Sequence, residues 1–197
     1  GYIDPIRNSL FIDIGAGTTD LCMIQGVYPT ADDQICMDTA GNDVDQALAN
    51  AMRRRFPDAK ITPTTITRIK EEYSFVGDAP KPCEVRVAVR GKMQQIDITE
   101  QIGEACAILI PSIIQNIEKL AAHCDADAVE EMMANVILTG GGSCIANIDK
   151  EVEGELKALG YSKARCSVDR DSEPSDSNGA MKTANAERPD QGAIRTS

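Results

Sequence analysis

One stretch near the start of the chain combines the residue types that bind phosphate. Asp13 lies in the apolar run of residues 10–14, and the sequence Gly-Ala-Gly-Thr follows it at residues 15–18. Glycine lets a backbone turn tightly and approach a ligand with no side chain in the way. The amides of such a turn bind phosphate oxygens, while a carboxylate holds a divalent cation through water. The alternative is an ordinary hairpin whose glycines only make the turn.

A second glycine-rich turn follows another apolar segment. Residues 135–139 read Asn-Val-Ile-Leu-Thr, and Gly140, Gly141 and Gly142 come directly after them. A triple glycine alone is weak evidence, because any tight strand-to-helix connection can use one. Two such turns, each after a predicted buried strand, indicate one ligand held from two sides.

Three other groups of residues are better explained without a catalytic role. The arginine triplet at residues 53–55 interacts favourably with the negative, C-terminal end of a helix dipole. A solvated helix end is therefore a better interpretation than a phosphate site. His123 is the only histidine and has no partner motif, which favours an exposed position or one that satisfies a helix dipole over a catalytic base. The seven cysteines form no Cys-x-x-Cys pair, so reduced thiols are expected in place of a zinc site or disulfides.

Composition restricts the class of partner. The formal net charge is −11, which argues against non-specific nucleic-acid binding. A hydrophobic content of 42% and a charged content of 26% are typical of a globular protein. No apolar run reaches the length of a membrane span and no signal peptide is visible, so we expect a cytoplasmic protein without membrane insertion.

Hydrophobic periodicity predicts alternating strands and helices that position these turns. A helix is expected after Asp43, which can cap it, and another from Pro63 to about Val76. Pro111 lies inside the long apolar stripe of residues 99–124 and should kink or break that helix. A further helix ends at Gly160. The predicted strands are residues 10–14, 21–24, 34–39, 84–90, 93–98, 135–139 and 164–168.

Four motifs stand in the order found in the actin superfamily. They are Asp-Ile-Gly-Ala-Gly-Thr-Thr-Asp (13–20), Ala-Gly-Asn-Asp (40–43), Ile-Lys-Glu-Glu-Tyr (69–73) and Leu-Thr-Gly-Gly-Gly-Ser (138–143). They resemble its second phosphate loop, ribose turn, adenine-edge helix and adenosine loop. Residues 28–34 and 96–99 are more similar to the magnetosome-filament branch of the bacterial actins than to the cell-shape branch.

The resemblance covers about residues 6–186 and implies an α/β fold. It implies the second lobe of an actin/ribonuclease-H-like ATPase, with a core at residues 1–41 and 99–186. A small α+β subdomain would be inserted at residues 42–98. The composition of residues 187–197 predicts a disordered tail.

The resemblance also implies the role of each site residue, with ATP or ADP and Mg²⁺ as cofactors. Asp13 would hold Mg²⁺ through water, and Asp20 would help to orient the attacking water. Asn42 replaces an aspartate usual in related proteins, which should alter nucleotide affinity. The residues expected to contact the nucleotide are Gly15, Ala16, Gly17 and Thr18 at the phosphates, Gly41 and Asp43 at the ribose, Lys70 and Glu71 at the adenine, and Gly140, Gly141 and Gly142 beneath the nucleoside.

The implied function is the ATP-binding half of a bacterial actin-like filament protein that aligns magnetosomes by ATP-dependent polymerisation. The family's first phosphate loop is expected upstream of Tyr2, so ATP hydrolysis is expected of the intact protein. The implied partners are copies of itself or full-length actin-like subunits, and acidic linker proteins of the magnetosome. Two alternatives stand beside this function. One is a truncated, catalytically incomplete paralogue that modulates a full-length filament, and the other is a different ATPase of the superfamily, such as a chaperone or sugar kinase.

Overall fold

The computed structural model describes residues 8–25 and 29–169. The predicted tail at residues 187–197 and the motif residue Tyr28 lie outside the described residues. In chain order the elements are β1 (Ser9–Ile14), β2 (Thr19–Ile24), β3 (Gln34–Met37), α1 (Gly41–Arg55), β4 (Ala59–Lys60), α2 (Pro63–Tyr73), β5 (Glu84–Val89), β6 (Lys92–Asp97), α3 (Thr99–Ala107), α4 (Leu109–Ala121), α5 (Ala126–Met133), β7 (Val136–Thr139), α6 (Ile148–Ala158) and β8 (Cys166–Val168).

The larger sheet has five strands in the order β3-β2-β1-β7-β8. β1 pairs antiparallel with β2 and parallel with β7, and the register places Asp13 opposite Asp20 on one side and Thr139 on the other. Ile12 and Leu138 are fully buried, so these strands lie in the core as their apolar sequences predict. Because parallel strands end at the same edge of a sheet, both glycine turns emerge side by side.

The smaller sheet is antiparallel in the order β4-β5-β6 and lies within residues 42–98. The strict alternation of β5 buries Val85 and Val87, as predicted. Arg90 and Gly91 at the β5–β6 turn both have positive φ, 49° and 78°, which suits the twist of a tight hairpin. Buried residues of the two sheets belong to one hydrophobic cluster. The division of the chain into a core lobe and an inserted subdomain stays a prediction.

The predicted long helix is broken into α3 and α4. Pro111 lies in the first turn of α4, and its ring excludes a continuous helix through the carbonyl of Ala107, four residues earlier. Sequence periodicity did not reveal α5, because only Met132 and Met133 of its eight residues are buried. His123 is exposed after the end of α4.

Several predicted boundaries were wrong by two or three residues, among them the ends of α2 and β3. α2 ends at Tyr73, and the chain then buries Phe75 and Val76 in an extended segment that pairs with Ala146. β3 ends at Met37, because Met37 pairs with Thr19, the first residue of β2; beyond it, the Thr39 carbonyl accepts a hydrogen bond from the Thr19 hydroxyl at 2.9 Å. Within the described parts of the chain, every helix is too short or too polar to cross a membrane.

Candidate functional site

The turn after β1 is closed by its own backbone and leaves its tip open. The amide of Gly15 donates to the carbonyl of Thr18 at 2.9 Å. A Cβ atom on Gly15 would lie 2.9 Å from the same oxygen, so glycine is required by the tightness of the turn. Ala16, Gly17 and Thr18 are exposed. The Thr18 hydroxyl donates to Asp20 Oδ2 at 3.1 Å, which joins two of the predicted site residues.

The start of α1 lies directly against this turn. The amide of Gly41 donates to the Gly15 carbonyl at 3.1 Å, and the amide of Asn42 donates to the Ala16 carbonyl at 2.7 Å. A Cβ atom on Gly41 would come within 3.2 Å of the Gly15 carbonyl oxygen, so the approach requires a small residue. The predicted phosphate and ribose turns are therefore in contact.

Asp43 caps α1 from inside its first turn. Sequence reasoning expected Asp43 to precede the helix, but α1 begins at Gly41 and Asp43 is its third residue. Its carboxylate accepts the amide of Ala40 at 2.9 Å, which satisfies a donor at the start of the helix. The side chain is otherwise exposed.

Lys70 connects α2 to the predicted ribose turn. Its Nζ donates to the Gly41 carbonyl at 3.0 Å and lies 3.0 Å from Asp45 Oδ1, with both side chains largely buried. Oδ1 of Asp45 has no hydrogen bond of good geometry, so this contact is mainly electrostatic. Thr67 donates to the other oxygen of Asp45 at 3.2 Å. Asp45 was not predicted, because nothing in its local sequence marks it as the partner of Lys70.

Glu71 points away from this network. Its side chain is exposed and makes no hydrogen bond or ion pair within the described residues. The structure therefore brings Lys70 to Gly41 but leaves Glu71 free at the neighbouring position of α2.

The triple glycine lies across the end of β1. Gly140 has φ of +76°, and a Cβ atom there would meet the carboxylate of Asp13 and lie 2.7 Å from the Ile14 carbonyl oxygen. Gly142 leaves no room for a Cβ atom beside the Ile14 side chain, whereas Gly141 is exposed with open space around it. The two predicted glycine turns therefore contact each other through Asp13 and Ile14.

Asp13 is the carboxylate at the centre of the site. Burial raises its pKa, and the negative charge of Asp20 across the β1–β2 pair raises it further. A divalent cation would offset both the burial of the Asp13 charge and its repulsion from Asp20, so the residues present fit Mg²⁺. Among residues 8–25 and 29–169, no three His, Cys, Asp or Glu side chains are grouped to hold a metal directly. Such an ion would be held by one carboxylate, by water and by oxygens of the ligand.

Comparison with known proteins gives a consistent family. The family model described as MreB/Mbl protein matches residues 3–165. The actin-like protein MamK of Paramagnetospirillum magneticum is 34% identical over 170 residues, which cover 86% of this chain and 49% of that protein. The chain thus spans about half the length of the curated relatives it matches.

Solved structures of MamK have the same fold. A MamK double helical filament aligns with a TM-score of 0.81 at 32% identity, covering 92% of this chain and 55% of that one. A non-polymerising MamK mutant bound to AMPPNP aligns with a TM-score of 0.80 at 32% identity, covering 87% and 51%. These findings confirm the resemblance and the fold class that the four motifs predicted.

Proposed function

Because the chain belongs to the MreB/Mbl family of actin-like proteins, we propose that it is the nucleotide-binding half of a bacterial filament protein. One observation carries the proposal. Residues from four separated segments meet at the end of β1, as the hydrogen bonds of Gly15 with Gly41 and of Gly41 with Lys70 demonstrate. Gly140 completes the group by its close approach to Asp13.

The proposed ligand is ATP or ADP with Mg²⁺. Residues 15–18 offer amides and a hydroxyl to the phosphates, and Asp13 orients the water that holds the cation. Gly41 and Asp43 lie where a ribose would follow the phosphates, with Lys70 and Glu71 beyond them at the adenine. Gly140, Gly141 and Gly142 offer a flat backbone surface beneath the nucleoside. The AMPPNP-bound MamK structure supports this choice of ligand.

The proposed reaction is hydrolysis of ATP in the intact protein. Bound Mg²⁺ would neutralise charge that develops on the phosphates. Asp20 would orient the attacking water, and the hydrogen bond from Thr18 fixes one oxygen of its carboxylate for that task. Nucleotide contacts from two lobes would bias lobe closure and hence filament growth.

The proposed cellular role is ATP-dependent assembly in the cytoplasm to align magnetosomes. Its support is the similarity to MamK, including a MamK double helical filament. The partners would be copies of itself or full-length subunits, with acidic magnetosome linker proteins beside them. The MreB/Mbl match favours this role over a chaperone or sugar kinase. A modulator of a full-length filament is an outcome of the test below.

Titration calorimetry of the 197-residue chain tests the nucleotide site. We expect Mg-ATP to bind with a Kd weaker than about 10 μM, because Ala16, Gly17 and Thr18 are exposed at the open tip of the turn and would leave much of the phosphate in water. Asp13→Ala should abolish the Mg²⁺ dependence of binding. Asp127→Ala is the matched control, because this exposed carboxylate lies on α5, away from the site. No heat at millimolar nucleotide would refute the site.

Pelleting and electron microscopy test assembly. Filaments that form with Mg-ATP from this chain alone would support a filament subunit. A chain that stays in the supernatant but lowers the polymer yield of an intact relative would support the modulator. Failure to do either would refute both roles.

A further inference from the structure

A groove of about 330 Å³ lies between α4 and α6, next to Val76 and Gly77. We name it the α4–α6 groove. Val76, Ile110 and Ile114 contribute apolar floor, and each has a little exposed surface. Glu118, Glu151 and Glu155 form the rim.

The rim carboxylates have no partners of their own. Glu118, Glu151 and Glu155 make no side-chain hydrogen bond or ion pair within residues 8–25 and 29–169. Among the residues that the structure describes, no lysine or arginine lines the groove. Three like charges around one groove repel each other, and this repulsion favours binding of a cationic group.

The chemistry of the groove suits an arginine side chain. An arginine packs its methylene stem on apolar surface and keeps its guanidinium at the edge. The guanidinium donates to carboxylates in a planar, two-pronged geometry that lysine does not match. The apolar floor of the groove can pack against the methylene stem, and the carboxylate rim can accept hydrogen bonds from the guanidinium.

The chain itself carries exposed arginines that could bind such carboxylates. Residues 53–55 are the only three consecutive basic residues in the sequence, and all three are exposed at the end of α1. Arg53 donates to Asn50 at 2.8 Å, and Arg55 lies 5.4 Å from the Phe56 ring centroid. Arg54 has no partner within the described residues, and none of the three pairs with a carboxylate.

The arginines are also remote from the nucleotide site. α1 has 15 residues and begins at Gly41, so its far end lies about 20 Å from the ribose turn at ~1.5 Å per residue. A role in binding the nucleotide phosphates is therefore excluded by distance. Within the chain, α1 packs against α2 and α3, whereas the groove lies between α4 and α6.

We propose that the arginines at the end of α1 bind in the α4–α6 groove of a second copy of this chain, with Arg54 as the principal contact. Opposite charges on an otherwise acidic protein give both the attraction and the orientation. The contact joins two different surfaces, so a pair of copies keeps one free groove and one free arginine end, and the contact can repeat. This proposal rests on the self-assembly proposed above and names the two surfaces that would form the contact.

Sedimentation velocity of the whole chain over a concentration series tests the contact. Arg54→Glu and Glu155→Arg should each weaken self-association about tenfold or more. An equimolar mixture of the two variants should restore it, because the native Arg54 of one variant then meets the native groove of the other. The double variant Arg54→Glu with Glu155→Arg should also restore it, because the two reversed charges then match in every contact. Arg86→Glu and Asp127→Arg are the matched controls, since both residues are exposed outside the two surfaces. Circular dichroism melts of every variant confirm folding.

Three outcomes would overturn the contact. The first is self-association that Arg54→Glu and Glu155→Arg leave unchanged. The second is a chain that stays monomeric at several hundred μM in low salt. The third is binding of an arginine-rich peptide in the groove without self-association, which would assign the groove to another partner. Calorimetry with Mg-ATP on the same samples separates these outcomes from failure of the nucleotide site.

Discussion

Gly140 lies against the carboxylate of Asp13, in a space that a Cβ atom cannot share. Asp13 is the last but one residue of β1, and Gly140 directly follows β7, the parallel neighbour of β1 in the larger sheet. This close approach fixes the spacing between the triple glycine and the predicted phosphate turn. The geometry of the site therefore depends on a glycine as much as on the aspartate.

Gly140→Ala should destabilise the chain and remove nucleotide binding. The positive φ of 76° and the contacts with Asp13 and the Ile14 carbonyl force the backbone to move, at a cost of about 2–3 kcal/mol. Urea unfolding and calorimetry measure the two effects. Gly154→Ala is the control, because this exposed helical glycine has open space around it and alanine should stabilise α6 by up to ~1 kcal/mol. Unchanged stability of Gly140→Ala would contradict the packing described.

Asp13→Asn should raise the melting temperature of the nucleotide-free chain at neutral pH while weakening Mg-ATP binding. The pKa of Asp13 is raised by burial and by Asp20, so folding disfavours its charged form. This cost is present above the folded-state pKa and disappears below the unfolded-state value of 3.8. Thermal melts with and without Mg-ATP measure both changes. A lower melting temperature without nucleotide would show that the Asp13 charge is already compensated.

Asp97→Asn should have the opposite effect on stability. The hydroxyl and amide of Thr99 donate to Asp97 Oδ1 at 2.6 and 2.8 Å, and these bonds lower the pKa of Asp97. A lowered pKa gives stability that is present above the unfolded-state value of 3.8 and is lost as pH falls through the folded-state value. The variant should therefore melt earlier than the wild type at neutral pH. The difference should shrink in acid, and a difference constant down to pH about 2 would refute the cause.

Lys70→Met should cost about 1–3 kcal/mol of unfolding free energy, because it leaves Asp45 largely buried without its cation. It should also weaken nucleotide binding, since Lys70 supports the Gly41 turn. Lys163→Met is the control, because its pair with Glu130 is 72% and 65% exposed and should contribute little to stability. Equal losses in the two variants would show that burial of the Lys70 pair adds nothing.

Thiol labelling should follow exposure and nucleotide occupancy. Cys144 is exposed beside the triple glycine, so it should react first, and Mg-AMPPNP should slow its reaction. Cys36 is also exposed, but a hydrogen bond with Asp20 raises its pKa and should slow its reaction. Burial raises the pKa of Cys106 to about 11, so it should react only after unfolding. Mass spectrometry of the labelled peptides measures all three, and early labelling of Cys106 would contradict the described core.

The sequence by itself determined the features that depend on neighbouring residues. The turn at residues 15–18 needs glycine because of a contact with Thr18, three residues away. Pro111 breaks the long helix through its own missing amide and its ring. The alternation that buries Val85 and Val87 is likewise local, because side chains of a strand point to opposite faces in turn.

Only the tertiary structure decided which of these local features meet. Pairing of β1 with β7 brings Gly140 to Asp13, and packing of α1 against α2 brings Lys70 to Gly41 and Asp45. No local preference encodes these contacts, because each joins residues far apart in the chain and depends on how whole elements pack. The α4–α6 groove and the unpaired charges at its rim arise in the same way, from helices that are separate in sequence and adjacent only in the fold.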